Sequence, residues 1–411
     1  MRGFLCSLVL VSTVGSAKEV GGTAVIEGSP CPTGGFVDAE FRDAALSVLE
    51  RLVVQAPGHR SHGAVRTHQT AGHVDAHGRG WHQVSAYQAN LGLIGALRVA
   101  PHLLPVAADW LRWQAQHMAT QGASRGVVLD HWVRDDDFEE STCPSGMSQS
   151  LCAHVDAYDS TAASTLLMAD AYLRHGGDPF VLREPLMRQA LEAAATALRE
   201  LTTPNGLTLA KPNHRVVYTM DAVEVIAGWR AWARVQRVAY AQPQSGEVSL
   251  GAARRGEAAL RTHLWDSAAR AWRTSLGAGA LQTSRWYPDT VAQAWPLLWG
   301  TETNDNHGQA REAWRRAIAR WQGASSHWAR QQADPDGFWW PAVAVAARCT
   351  GDPQATRLWV ARARQHWLAP TDPFSWPFQV GDLLWLLWLA DAQPLPMVSP
   401  VPPPSTLGES R

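Results

Sequence analysis

Long apolar runs, clustered basic charge and recognised metal-ligand spacings are all missing from this chain. Its two most apolar stretches, Phe4 to Val14 and Leu383 to Leu389, are each too short to cross a bilayer. No block of Lys and Arg stands out, and 36 basic against 37 acidic residues leave a formal net charge of −1. That balance excludes nucleic acid and anionic membrane as natural partners. Charged residues make up only 18% of the 411 positions and hydrophobic ones 46%, so wholesale disorder is excluded and a large core is available. Convincing period-2 strands are scarce. Tyr (6) and Phe (8) are sparse, whereas Trp reaches 21. A core can be built without Trp, so this excess fits flat stacking platforms as well as large packing residues.

The ends carry their own signals. Arg2, the run Phe4 to Val14 and the small residues Gly15-Ser16-Ala17 have the order of a cleavable export signal at 1–17, which predicts a periplasmic or secreted protein with no integral membrane segment in its mature form. Losing Cys6 with that signal leaves Cys31, Cys143, Cys152 and Cys349, an even set for an oxidising compartment. Cys143 and Cys152 bracket a short Ser- and Gly-rich loop and are the expected pair. Cys31 with Cys349 would then tie the N-terminal segment, 18–37, to the late helices; four free thiols are the alternative. From Pro394 the chain is Pro-rich, which predicts an unstructured tail at 394–411. One domain, 38–393, and a monomer are expected.

Helical periodicity fills that domain. Amphipathic helices are expected at Asp38–Gln55, Leu103–Gln121, Val181–Leu201, Leu250–Leu264, Gly308–Trp321 and Pro353–Trp367. Between them run helices that are apolar or small on nearly every side: Val84–Ala100, Ser160–Arg174, Ala222–Ala239, Thr290–Gly300, Ala342–Arg348 and Val380–Ala390. A helix apolar all round must be buried all round. Twelve helices alternating in this way predict an all-α architecture, six inner helices inside six outer ones. Short links leave the inner helices and long loops, such as Gly122 to Val155 and Trp265 to Arg285, lead into them. Long loops usually carry function, and these all enter the N-terminal end of the inner ring.

Each inner helix opens on a cluster of aromatic and polar residues. These are Gly80-Trp81-His82-Gln83, Asp156-Ala157-Tyr158-Asp159, Tyr218-Thr219-Met220-Asp221, Trp286-Tyr287-Pro288-Asp289, Phe338-Trp339-Trp340-Pro341 and Phe374-Ser375-Trp376-Pro377. Brought to one end of a barrel they would line a funnel with rings and carboxylates, the chemistry of a carbohydrate site. Three segments, His154 to Thr161, Val217 to Glu224 and Trp286 to Gln293, together with the alternation across Asp38 to Ala390, resemble the six-hairpin glycosidase-like, or (α/α)6-barrel, superfamily. They look like uncharacterised bacterial exported members of it. The resemblance implies a glycoside hydrolase, or one of the lyases, epimerases and cyclases of the same fold; it does not assign the catalytic pair.

The residues themselves suggest that pair. Glycoside hydrolysis needs a proton donor of raised pKa and an ionised partner. Asp156, Asp159, Asp221, Glu224 and Asp289 all fall near openings of buried helices, beside the apolar walls of Tyr158, Tyr218, Trp286 and Tyr287. Each also has a structural reading. Asp159 could cap its helix, Asp289 could serve the helix dipole, and Asp221 or Glu224 could pair with Lys211 or Arg215. Asp156 is the hardest to explain as a cap. Trp81, His82, Trp132, Lys211, His214, Trp339, Trp340 and Trp376 complete the expected sugar contacts. Lys211, His214 and Tyr218 would equally serve a lyase on uronic-acid polymers, and a non-catalytic glycan-binding or polysaccharide-assembly protein would keep the same aromatic funnel. Asp135-Asp136 with Glu139 has the spacing of a diphosphate-metal motif but lies in a loop, and the histidines between His59 and His82 match no ligand set. No cofactor and no metal are expected.

Overall fold

A computed structural model describes residues 35–279, 284–300, 307–323 and 327–391; the segment expected to be an export signal, Cys31 and the Pro-rich tail lie outside them. The described chain begins with α1 (Ala39–Leu52), whose amphipathic stripe of Phe41, Ala45, Val48, Leu49 and Leu52 is buried and whose first turn is capped by the Asp38 carboxylate. Then come β1 (His73–Val74), β2 (Gly80–Val84), α2 (Ala86–Val99), α3 (Leu104–His117), β3 (His131–Arg134) and β4 (Glu140–Ser141). The middle third holds α4 (Tyr158–Arg174), the short α5 (Pro179–Arg183), α6 (Pro185–Leu201), α7 (Thr219–Val238), α8 (Pro243–His263) and the β5 (Trp265–Asp266) and β6 (Ala271–Trp272) hairpin. The last third holds α9 (Trp295–Leu298), α10 (His307–Ala319), α11 (Pro341–Cys349), α12 (Pro353–Leu368) and α13 (Leu383–Ala390).

Inner helices α2, α4, α7, α9, α11 and α13 each touch the next, and α13 returns to α2, so they close a ring. The amphipathic α1, α3, α6, α8, α10 and α12 pack outside it. This is an (α/α)6 barrel, as the alternation predicts. In α4 every residue from Asp159 to Tyr172 is buried, the all-round burial that its composition demands. The ring closes tightly where glycine permits. At Gly95 an added Cβ would meet the Leu383 carbonyl oxygen at 2.5 Å, and at Gly228 the Ala163 side chain at 2.9 Å. We expect Gly95→Ala to force α2 and α13 apart and cost about 1–3 kcal/mol, read as a lower unfolding midpoint in denaturant.

Three local expectations are corrected. Gly80-Trp81-His82-Gln83 is not a helix opening but strand β2, and α2 starts only at Ala86. β2 joins an antiparallel sheet in the order β1-β2-β3-β4, with Gln83 opposite Trp132 and Trp81 opposite Arg134. That pairing is non-local, so no short window of sequence reveals it. The fourth inner element is broken: Tyr287 is extended, Val291–Ala294 forms one tight turn, and α9 is a single turn beginning beside Pro296, which has no N–H to give. Helix α8 starts at Pro243 rather than Leu250, Pro occupying the first helical position.

Cys143 and Cys152 are disulfide-bonded, as their spacing suggests. No described helix is long and apolar enough to cross a membrane. The acidic run is a folded hairpin in which Asp136, Asp137 and Glu139 surround Arg134, and Asp135 bridges Arg66 and His82.

Candidate functional site

A cavity of about 930 Å³ opens at the N-terminal end of the inner ring. Inner elements and the loops between them build it, because the long connections all return to this end. Segment 208–218 is stitched in place by Tyr158 N–H donating to the Ala210 carbonyl (2.7 Å) and by Thr219 N–H donating to that of Thr274 (3.0 Å). Strand β2 sets a further group: Gln83 Nε2 donates to Asp130 Oδ2 at 2.8 Å.

Carboxyls form one face. Asp221 and Glu224, three residues apart at the start of α7, sit on the same side of that helix and both line the cavity. Glu224 is almost fully buried and its Oε1 accepts from Tyr87 Oη (2.7 Å) and Trp295 Nε1 (2.8 Å). Burial, then the neighbouring Asp221 charge, pushes its carboxyl up to about 7 against these two donors. Asp221 is held well above the usual carboxylate range by burial and by the charges of Asp159 and Asp156. Asp130 is likewise pushed up to about 7, chiefly by burial. Asp156 differs: it is exposed at the cavity wall and caps no helix. The site thus pairs an open carboxylate with carboxyls whose surroundings favour the protonated form.

Rings form a second face. Tyr287 and Trp340 stack with centroids 4.9 Å apart and planes 14° apart, and Trp295 meets Trp340 edge-on. Trp340 is held by its indole N–H to Asp334 Oδ2 at 2.7 Å. A flat, half-open pair of this kind can stack on an apolar sugar face. The third face is polar: Lys211, Asn213, His214 and Tyr218, with His214 Nε2 and Tyr218 Oη 3.0 Å apart.

Of the residues singled out from sequence, Asp156, Asp221, Glu224, Lys211, His214, Tyr218, Tyr287 and Trp340 line this cavity. The others stand elsewhere. Asp159 is fully buried behind the wall, accepting from Thr208 Oγ1 and Ser160 N–H. Asp289 is buried and pairs with Arg285 at 3.0 Å, so it positions that cavity-lining guanidinium. Trp81 and Trp132 pack with Met147 in a small cluster under the sheet. His82 is buried against Asp135 at 2.6 Å. Tyr158 packs on the main core with its hydroxyl 3.4 Å from Ser124 Oγ. Trp286 packs edge-on to Trp321, and Trp339 stacks on His366. Trp376 is 55% exposed, edge-on to His68 and Phe338. Sequence reasoning missed Asp130, Tyr87, Trp295 and Arg285. Tyr87 and Trp295 each sit near the start of an inner helical element, the one signal that could have found them.

No family model matches the chain, and no curated protein matches it. Solved structures do match in fold. A wild-type glycosidase is 14% identical, covering 85% of this chain and 93% of its own, with a TM-score of 0.53. A GH63 mannosylglycerate hydrolase from Thermus thermophilus in complex with glucose is 15% identical over 84% of this chain and 99% of its own, with a TM-score of 0.51. An alpha-amylase from Clostridium perfringens is 10% identical over 86% and 97%, at 0.50. At these identities the likeness is one of fold.

Proposed function

We propose that this chain is an exported carbohydrate-active enzyme, a glycoside hydrolase that cleaves a poly- or oligosaccharide with carboxyl groups as acid and base. The observation that carries the reading is that Asp156 and Asp221 line one cavity with the Tyr287–Trp340 platform. Asp221, kept protonated by burial and its acidic neighbours, is the donor to the leaving oxygen. Asp156, open to the cavity, acts as base or nucleophile. Glu224, fixed by Tyr87 and Trp295, shares the start of the same helix with Asp221. The glycosidases of like fold add support to this reading. Incubating the purified protein with a polysaccharide panel tests it. New reducing ends without absorbance from unsaturated sugars are expected.

One observation favours a second reading. The His214–Tyr218 contact beside Lys211 is the equipment of a lyase, a base next to a cation that neutralises a sugar carboxylate. Unsaturated products in the same panel would select it, and glycan binding with neither product would select a non-catalytic role.

A further inference from the structure

Of the residues counted together as 36 Lys and Arg, only Lys18 and Lys211 are lysine; every other cation is arginine. Lys18 lies outside the described residues, and Lys211 stands in the cavity wall. Arginine and lysine are not equivalent. Guanidinium is a planar fork suited to fixed ion pairs, whereas ammonium is a compact point charge on a flexible stem. Throughout the described fold arginines do the structural pairing, as in Arg174 with Asp170, Arg230 with Glu257 and Arg285 with Asp289. Lys211 takes no such part: among the described residues no carboxylate lies within ion-pair distance of it. Its charge acts on Asp130, drawing that carboxyl down slightly against the effect of burial.

Its backbone, by contrast, is fixed. Lys211 and His214 exchange N–H···O=C bonds of 3.3 and 3.2 Å across a tight turn, and Ala210 is bonded on both sides, to Tyr158 and to Val216. The turn presents Lys211, Asn213 and His214 to the cavity as one polar wall, facing the carboxyl floor and beside the open Tyr218 ring. From this placement we propose that the sugar bound in the cavity carries an anionic group, and that Lys211 is the residue that selects it. The proposal rests on the glycan-binding reading of the cavity and does not depend on which bond is broken there. Of the cavity carboxyls, Asp130, Asp221 and Glu224 are kept towards their protonated forms chiefly by burial, so Asp156 is the one that an anionic group has to keep clear of. Arg285 is committed to Asp289, which leaves Lys211 as the wall's uncommitted cation.

The test uses paired acidic and neutral probes: p-nitrophenyl glucuronide and glucoside, oligogalacturonate and its carboxyl-reduced form, and sulfated and unsulfated galactan oligomers. Binding is read by calorimetry at about pH 6 with wild type, Lys211→Met and Lys211→Arg. We expect at least one acidic probe to bind about tenfold or more tighter than its neutral partner, Lys211→Met to abolish that preference, and Lys211→Arg to retain part of it. The uronate and sulfate arms identify which anion is preferred. Protection of the Lys211 amine from reductive methylation by the acidic probe alone gives a second readout, independent of turnover and of any effect of substitution on folding. Equal binding of acidic and neutral partners, a preference that survives in Lys211→Met, or no binding by any acidic probe would overturn the proposal. Tight acidic binding without cleavage would instead leave it standing and overturn the hydrolase reading.

Discussion

Replacing Asp156 or Asp221 with Asn is expected to remove most turnover, about 10²–10⁴-fold for each, while glycan binding persists. Asn keeps the shape of the side chain but neither donates the acid's proton nor carries the base's charge. The two variants should also differ from each other. Asp156 is exposed and holds no helix cap, so its replacement should leave the unfolding midpoint nearly unchanged. Asp221 sits among acidic neighbours that raise its pKa, so Asn, which cannot ionise, should make the protein equally or more stable above neutral pH. Asp289→Asn supplies the contrast. It weakens the hold on Arg285 and should alter stability and substrate affinity more than the chemical step. Wild-type turnover in both Asp156→Asn and Asp221→Asn would transfer the acid and base roles to Asp130 and Glu224, the remaining carboxyls of the cavity.

Stability itself should fall as pH rises from about 4 to about 7. Asp130, Asp159, Glu224 and Asp382 are all pushed up to about 7 in the folded protein, in each case chiefly by burial. In the unfolded chain they ionise near the usual carboxylate value. Through these groups the folded state binds more protons than the unfolded one between those limits, and each step up in pH favours unfolding. This outweighs the opposite pull of His131 and His175, which burial holds down to about 4. The contribution is fully present below about 4 and is lost by the time the folded carboxyls ionise. A single group displaced by three pH units is worth on the order of 4 kcal/mol, large against the marginal stability of a folded domain. Thermal unfolding of the ligand-free protein at about pH 5 should therefore show a higher midpoint than at about pH 8. Glu224→Gln should flatten the curve, and a midpoint that rises from pH 5 to pH 8 would contradict the carboxyl environments described.

The barrel was legible because its signal is local and repeated. Helix α4 reads as small and apolar on every side, and α1 as apolar on one stripe, so burial of each follows from its own residues. The β2–β3 pairing was not legible, since α2 and α3 separate Gln83 from Trp132 along the chain. The candidate site divides along the same line. Carboxyls at helix openings could be read from the sequence, but the direction each one faces could not. Asp156 and Asp159 are three residues apart, yet one opens to the cavity and the other turns back to Thr208. Asp130 escaped notice because a distant strand residue, Gln83, fixes it. The tryptophan excess proved ambiguous for a physical reason. Trp110, Trp113, Trp272, Trp299, Trp314, Trp359 and Trp367 are among the largest fully buried side chains, and only Trp295 and Trp340 line the cavity.

The central claim, hydrolysis with Asp156 and Asp221 as the working pair, is tested most directly by running the reaction in ¹⁸O-labelled water and weighing the products. Water attack at the anomeric carbon places one labelled oxygen on each new reducing end, making it about 2 Da heavier than the same product formed in ordinary water. That shift is expected with wild type, and its loss, together with the products, in Asp156→Asn and Asp221→Asn. Unlabelled, unsaturated products, or labelled products formed at the wild-type rate by both variants, would contradict it.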